Sequence, residues 1–256
     1  MLIPNPKGNY SFLPAIEAFS AGAVAMKGFE VIHVTFAVPP PYREGFEIVD
    51  RFLRDRQRPP QALCGIELRS PRPMSLAEFE SFNRGYVEQL KKRSILLNGA
   101  NPVARTNVAP VLDPPAEAAL YAFSYTTPSP DAPATFVVAG GGDRIIQSEK
   151  RDAPDIVGHG NVSAEGLREK ASFVLGLMEK RLNSLGAAWD EVTAVDVYTA
   201  HPIFSLLEPL LLPRLGPAKT HGIRWHFVRP PVQGMEFEMD VRGCWQEWIV
   251  PDWDHI

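Results

Sequence analysis

On either side of the segment Thr126-Thr127-Pro128-Ser129-Pro130-Asp131-Ala132-Pro133, this 256-residue chain carries the same succession of patterns. Each side reads as two strands, a helix, a strand, a helix and two strands. The segment itself is turn-rich and apolar-poor, the composition of a linker. The repetition constrains the fold more than any other feature. It predicts two lobes, residues 1–127 and 134–256, built to one plan.

In the first lobe, 17–25 and 29–38 are rich in Val, Ile and Phe and read as strands, with a turn at Lys27-Gly28. Phe46, Val49, Phe52 and Leu53 stand at helical spacing, so 42–57 is predicted helical until Pro59-Pro60 stops it. A strand follows over 62–68. Ser75 with Glu78 forms a capping box for a second helix, marked by Phe79, Phe82, Tyr86 and Leu90. Strands over 103–109 and 118–125 close the lobe.

In the second lobe, 134–139 and 143–147 read as strands around Gly140-Gly141-Gly142, taken as a hairpin turn because no Lys-Ser/Thr follows to make a phosphate loop. Ser163 caps a long helix whose stripe is Leu167, Ala171, Val174, Leu175, Met178, Leu182 and Leu185, ended by Gly186. A strand at 192–198, a short helix at 202–215, and strands at 222–228 and 235–242 complete it. Strand–helix–strand crossovers imply mixed sheets with two helices on one face of each, so the fold class is α/β, of the α+β type. The bare face of such a sheet must be covered by the other lobe or by another subunit. Trp245 and Trp248 are expected to pack there.

Composition excludes several classes of partner. Net charge is −4 with no basic stripe, which argues against nucleic acid. No apolar run has the length of a membrane span. The opening Met1–Lys7 lacks the pattern of a signal peptide, and Cys64 and Cys244 stand in no metal-ligand spacing. The expectation is a cytoplasmic protein without metal or cofactor.

The corners of the repeated pattern carry recognisable residues. The first lobe has Gly8-Asn9-Tyr10-Ser11, Ala21-Gly22, the run Glu78-Phe79-Glu80-Ser81-Phe82-Asn83-Arg84-Gly85-Tyr86, and Val103-Ala104-Arg105-Thr106-Asn107-Val108. The second has Leu185-Gly186-Ala187-Ala188-Trp189-Asp190-Glu191-Val192, Pro217-Ala218-Lys219-Thr220 and Glu236-Phe237-Glu238-Met239. In their order these resemble the RidA (YjgF/YER057c/UK114) family, twice over, at low identity across nearly the whole chain. The resemblance implies two tandem RidA-like (chorismate-mutase-like) lobes, a homotrimer, clefts between lobes as sites, and deamination of 2-imino or enamino acids without metal or cofactor.

Neither lobe carries the family's full set. The first keeps Tyr10, Asn83 and Arg105 but has Tyr121 where a closing-strand Glu falls. The second keeps Glu238 but has Lys219 for Arg and Glu208 for Asn. By resemblance, Arg105 grips the substrate carboxylate; a guanidinium fork does this with two parallel hydrogen bonds. Glu238 is the candidate proton donor or water-positioning group, a role that burial favours by raising a carboxyl pKa. Tyr10, Asn83, Asn107 and Tyr121 are candidates to shape the pocket. Lys219 and His221 are candidates for a second anionic subsite, with Arg224 on the opposite strand face. The alternative for Arg105 is a cross-strand ion pair; for Glu238 it is a solvent-facing edge. The expected function is a hydrolase that deaminates a small carboxylated imine or enamine, an aminomuconate-like dicarboxylate fitting two basic groups. A chorismatase-like hydrolase of a dicarboxylate enol ether and a non-catalytic carboxylate binder are the alternatives. Nothing in the residues fixes whether Arg105 and Glu238 meet.

Overall fold

A computed structural model describes residues 1–145 and 155–251. Thirteen strands run in chain order: β1 Ile3–Asn5, β2 Tyr10–Leu13, β3 Gly22–Ala25, β4 Phe29–Phe36, β5 Leu63–Arg69, β6 Ala104–Pro110, β7 Ala119–Pro128, β8 Phe136–Gly142, β9 Ala194–Tyr198, β10 Arg224–His226, β11 Val228–Arg229, β12 Glu238–Gly243 and β13 Gln246–Val250. Among the described residues three regular helices join them: α1 Tyr42–Asp55, α2 Leu76–Lys92 and α3 Ala164–Leu185.

Local chemistry fixes these elements. Ser75 Oγ accepts from the Glu78 N–H at 3.3 Å while the Glu78 carboxylate accepts from the Ser75 N–H at 2.8 Å, which starts α2. Gly186, in the left-handed region at φ 78°, ends α3 as its sequence position predicts. The helix expected over 202–215 is broken into short α, π and 3-10 turns from Phe204 to His221. Pro209, Pro213 and Pro217 each remove a backbone donor there, which an unbroken helix cannot tolerate.

The strands form two mixed sheets, ordered β1-β2-β3-β8-β12-β9-β10 and β11-β6-β5-β7-β4-β13. Inside them lie two four-stranded cores of one plan, β6-β5-β7-β4 and β10-β9-β12-β8. In each, the first pair is parallel and the third strand is antiparallel to both its neighbours. The two cores therefore share one strand order and one set of strand orientations. The boundary between 127 and 134 separates these two cores, but it does not separate the sheets. β3 pairs with β8, so the N-terminal strands β1–β3 extend the second sheet, and β13 pairs in parallel with β4, so the C-terminal strand extends the first. β1 and β2 fall outside the strands expected from the sequence; both are short, and Pro4 lies within β1 and Pro6 just after it. Of the strand predicted at 143–147, residues 143–145 are described, with a bridge from Arg144 to Ile156; 146 and 147 lie outside the described residues.

The sheets lie face to face, with helices outside. Along β8, Val137 and Ala139 join the core under α1 and α2, while Phe136 and Val138 join the core under α3. This alternation is the period-two pattern of a strand with both faces buried. Phe52 on α1 meets Phe123 and Tyr125 edge-on, at 5.0 and 5.3 Å between ring centroids. Trp248 on β13 packs against this core from the other end of the chain, as expected, whereas Trp245 is 58% exposed. Each sheet thus supplies the cover that the other needs. Polar groups also cross the interface. Thr106 Oγ1 on β6 donates to Asp240 Oδ2 on β12 at 2.5 Å, and the Arg242 guanidinium on β12 lies 3.9 Å from the Glu67 carboxylate on β5. Among the described residues no helix is long and apolar enough to cross a membrane, and no group of three His, Cys, Asp or Glu is placed to hold a metal.

Candidate active site

Arg105 leaves β6 near the place where that strand passes β8 of the other sheet. The residue is 3% exposed, and its guanidinium lies among three rings, 4.8 Å from the Tyr86 centroid, 5.0 Å from Phe19 and 5.5 Å from Phe79. One of its terminal nitrogens, Nη1, is buried without a hydrogen-bond partner among the described residues. An unpartnered buried donor is costly unless something outside the chain satisfies it. Burial pushes the Arg105 pKa down to about 10, opposed by Tyr86 and Glu238, so it stays charged at neutral pH.

Glu238 opens β12 and lines the same pocket as Arg105. The pocket has about 650 Å³ of free space including its mouth, and Asn107, Arg144, Arg181, Met235 and the three glycines 140–142 also line it. Glu238 is 4% exposed. Burial raises its pKa to about 8, outweighing the opposing pull of Arg181 and Arg105. At neutral pH it is chiefly a neutral acid with a proton to give. The hydrogen bond between Thr106 and Asp240 ties the neighbour of Arg105 to a residue two positions from Glu238, and so fixes the two strands that carry the pair.

Gly140-Gly141-Gly142 is not a hairpin turn. It is the end of β8 and a wall of the pocket. A Cβ at Gly140 would stand 2.3 Å from Glu238 Oε1 and 3.0 Å from Thr106, so only a glycine lets the carboxyl lie against the strand. Arg181, projecting from α3, donates to the carbonyls of Ala139 and Gly140 at 2.7 and 3.2 Å.

The remaining sequence candidates separate. Asn107 is in the pocket; its Oδ1 accepts from Ser70 at 2.9 Å and its Nδ2 is buried without a partner among the described residues. Asn83 lines an outer cavity that shares Ile16, Phe79 and Arg144 with the pocket. Tyr10 lies elsewhere, fully buried in the core with its hydroxyl on the Leu63 carbonyl at 2.9 Å. Tyr121 stacks on Arg69, whose guanidinium is 3.7 Å from its ring centroid, outside the pocket. Lys219 and His221 are exposed on a 3-10 turn that precedes β10, not on the strand itself, and neither lines the pocket of Arg105. Their place is fixed by Pro217 and by Gly222 at φ 78°. Arg224 pairs with Glu247 at the surface, at 2.6 Å.

Arg144, Arg181, Phe19 and Phe79 are among the pocket residues that sequence reasoning missed. Arg181 had a legible signal. It falls three residues after Met178 on the apolar stripe of α3, where a charge has no place unless it reaches a partner. Lys170 sits on the same stripe and is fully buried against Asp143 at 2.9 Å. Arg144 carried no pattern that could have singled it out.

Two facing sheets with a buried guanidinium and a neutral carboxyl lining one pocket define a class: an α+β enzyme for a small anionic molecule. The profile of the family "2-aminomuconate deaminase CnbZ" matches residues 2–248. A 2-amino-5-chloromuconate deaminase of Comamonas testosteroni is 42% identical over 246 residues, 95% of this chain and 96% of that protein. The chain belongs to the 2-aminomuconate deaminase family. Among solved structures, a chorismatase crystal structure aligns with TM-score 0.45 and 12% identity, covering 88% of this chain and 77% of that one.

Proposed function

We propose that the pocket between the sheets hydrolyses an aminomuconate-like enamine to ammonia and the corresponding oxo acid. Membership of the deaminase family supports the reaction, and the placement of Arg105 and Glu238 on one pocket carries the assignment of roles. Arg105 holds the carboxylate beside the amino-bearing carbon. Neutral Glu238 gives its proton to the enamine carbon, leaving an iminium. Its carboxylate then takes a proton from water as the water oxygen adds to the iminium carbon. Glu238 next protonates the nitrogen of this carbinolamine; the C–N bond breaks, ammonia leaves, and the hydroxyl proton returns to Glu238. One water enters, one ammonia departs, and Glu238 ends as it began. Asn107 Nδ2 is a free donor available to the substrate or to the water.

The burial of Glu238 supports turnover over simple carboxylate binding, since a binder has no use for a neutral acid beside its anion. The matched order of the two cores supports their descent from a duplicated RidA-like lobe. The test is ammonia release from freshly generated 2-aminomuconate and 2-imino acids, with Arg105→Ala beside the parent. The parent should accelerate release, and Arg105→Ala should lose on the order of 100-fold in kcat/KM, the loss of a charge-assisted double contact. Release no faster than buffer for both proteins would remove the proposal.

A further inference from the structure

We infer that Arg144 is a second carboxylate anchor, at the mouth of the pocket, and that it makes the site selective for dicarboxylates over monocarboxylates. The inference rests on the pocket assigned above and deepens it.

Charge comes first. Among the described residues, three guanidinium groups, Arg105, Arg144 and Arg181, line the pocket against one carboxyl, Glu238. Even with Glu238 ionised, positive charge is in excess by two, and one carboxylate cannot offset it. The donors are also unequally used. Arg181 spends Nη1 on two backbone carbonyls. Arg105 Nη1 and Arg144 Nε are both buried with no partner among the described residues.

Position separates those two. Arg105 lines the inner pocket, while Arg144 lines both that pocket and the outer cavity, so it stands where one opens into the other. Ile16, Phe79, Val232 and Met235 line the pocket as its apolar part. A molecule that fits has an anionic group at each end and a flat apolar middle. Arg84 also lines the outer cavity, but Glu17 and Glu80 line it too and offset that charge. The backbone of Arg144 is held by its bridge to Ile156, two residues beyond the glycine wall.

Two unreactive six-carbon dienes isolate the effect: trans,trans-muconate, with two carboxylates, and sorbate, with one. Calorimetric titration should show the parent binding muconate about tenfold or more tighter than sorbate, the worth of one charge-assisted contact. Arg144→Gln should bring muconate down to the level of sorbate and leave sorbate unchanged, and Arg144→Lys should restore part of the preference. Arg105→Gln should weaken both ligands. A parent without preference, or an Arg144→Gln protein that keeps the preference or loses both ligands equally while its circular dichroism is unchanged, overturns the inference. Because no turnover is read, a protein that prefers muconate yet releases no ammonia sinks the deaminase reading alone.

Discussion

Replacing Glu238 by Gln removes a titrating group while keeping its shape, and the consequences can be worked out beforehand. The Glu238 carboxyl ionises near 8 in the folded protein, against an ordinary 4.5. At about 1.4 kcal/mol per pH unit, that gap corresponds to about 5 kcal/mol of resistance to ionisation in the folded state. Between pH 4.5 and about 8 the folded protein keeps the proton that the unfolded chain has given up. The unfolded chain therefore binds fewer protons, and stability falls as pH rises across that window, levelling off above it. Urea denaturation from pH 5 to 9 reads this directly. The parent should lose several kcal/mol across the range, and Glu238→Gln should lose that much less, so that it is the more stable protein at pH 9. Activity should run the other way. Glu238→Gln should lose roughly 100- to 10,000-fold in kcat, the usual worth of a positioned acid and base. In the parent, kcat/KM should fall above pH 8 as the proton donor is lost. Parallel stability curves for the two proteins from pH 5 to 9 would refute the burial argument, and with it the view of Glu238 as a neutral acid.

Two further substitutions test the walls of the pocket and its support. Gly140→Ala should fold, but its Cβ would displace the Glu238 carboxyl, so kcat should fall at least about tenfold while substrate binding through Arg105 changes little; steady-state kinetics with an unchanged kcat would show that the carboxyl tolerates movement. Lys170→Met leaves Asp143 buried without its cation and should cost roughly 3–5 kcal/mol, seen as a lower urea midpoint. An unmoved midpoint would show that the pair contributes nothing to stability.

How much of this could be read from residues alone depended on the range of the interaction. Local signals held. Ser75 and Glu78 start α2, Gly186 ends α3, and the apolar stripe of α3 faces its sheet. The motif around Arg105 and the Glu-Phe-Glu-Met strand pointed to two side chains that line one pocket. What failed was long-range or depended on partners. Tyr10 was a candidate to shape the pocket, but it faces the core because β2 pairs with β3, a contact that no local pattern announces. Lys219 and His221 were placed on a strand by alignment, whereas three prolines force turns there. The glycines 140–142 read as a turn because glycine is the usual turn residue. Here they are needed for close approach, and that need arises only from Glu238 across the sheet.

The exchange of terminal strands sets a demand on synthesis. β13 docks beside β4 with Gln246 opposite Ile32, so the two residues are separated by most of the chain. At a synthesis rate of about 5–20 residues per second, β4 waits on the order of tens of seconds with that edge unpaired. Closing so long a loop is slow compared with local pairing. The first sheet therefore cannot be completed until residues 246–250 have been made, so an edge laid down early in synthesis is sealed only after the strands of both cores have been translated.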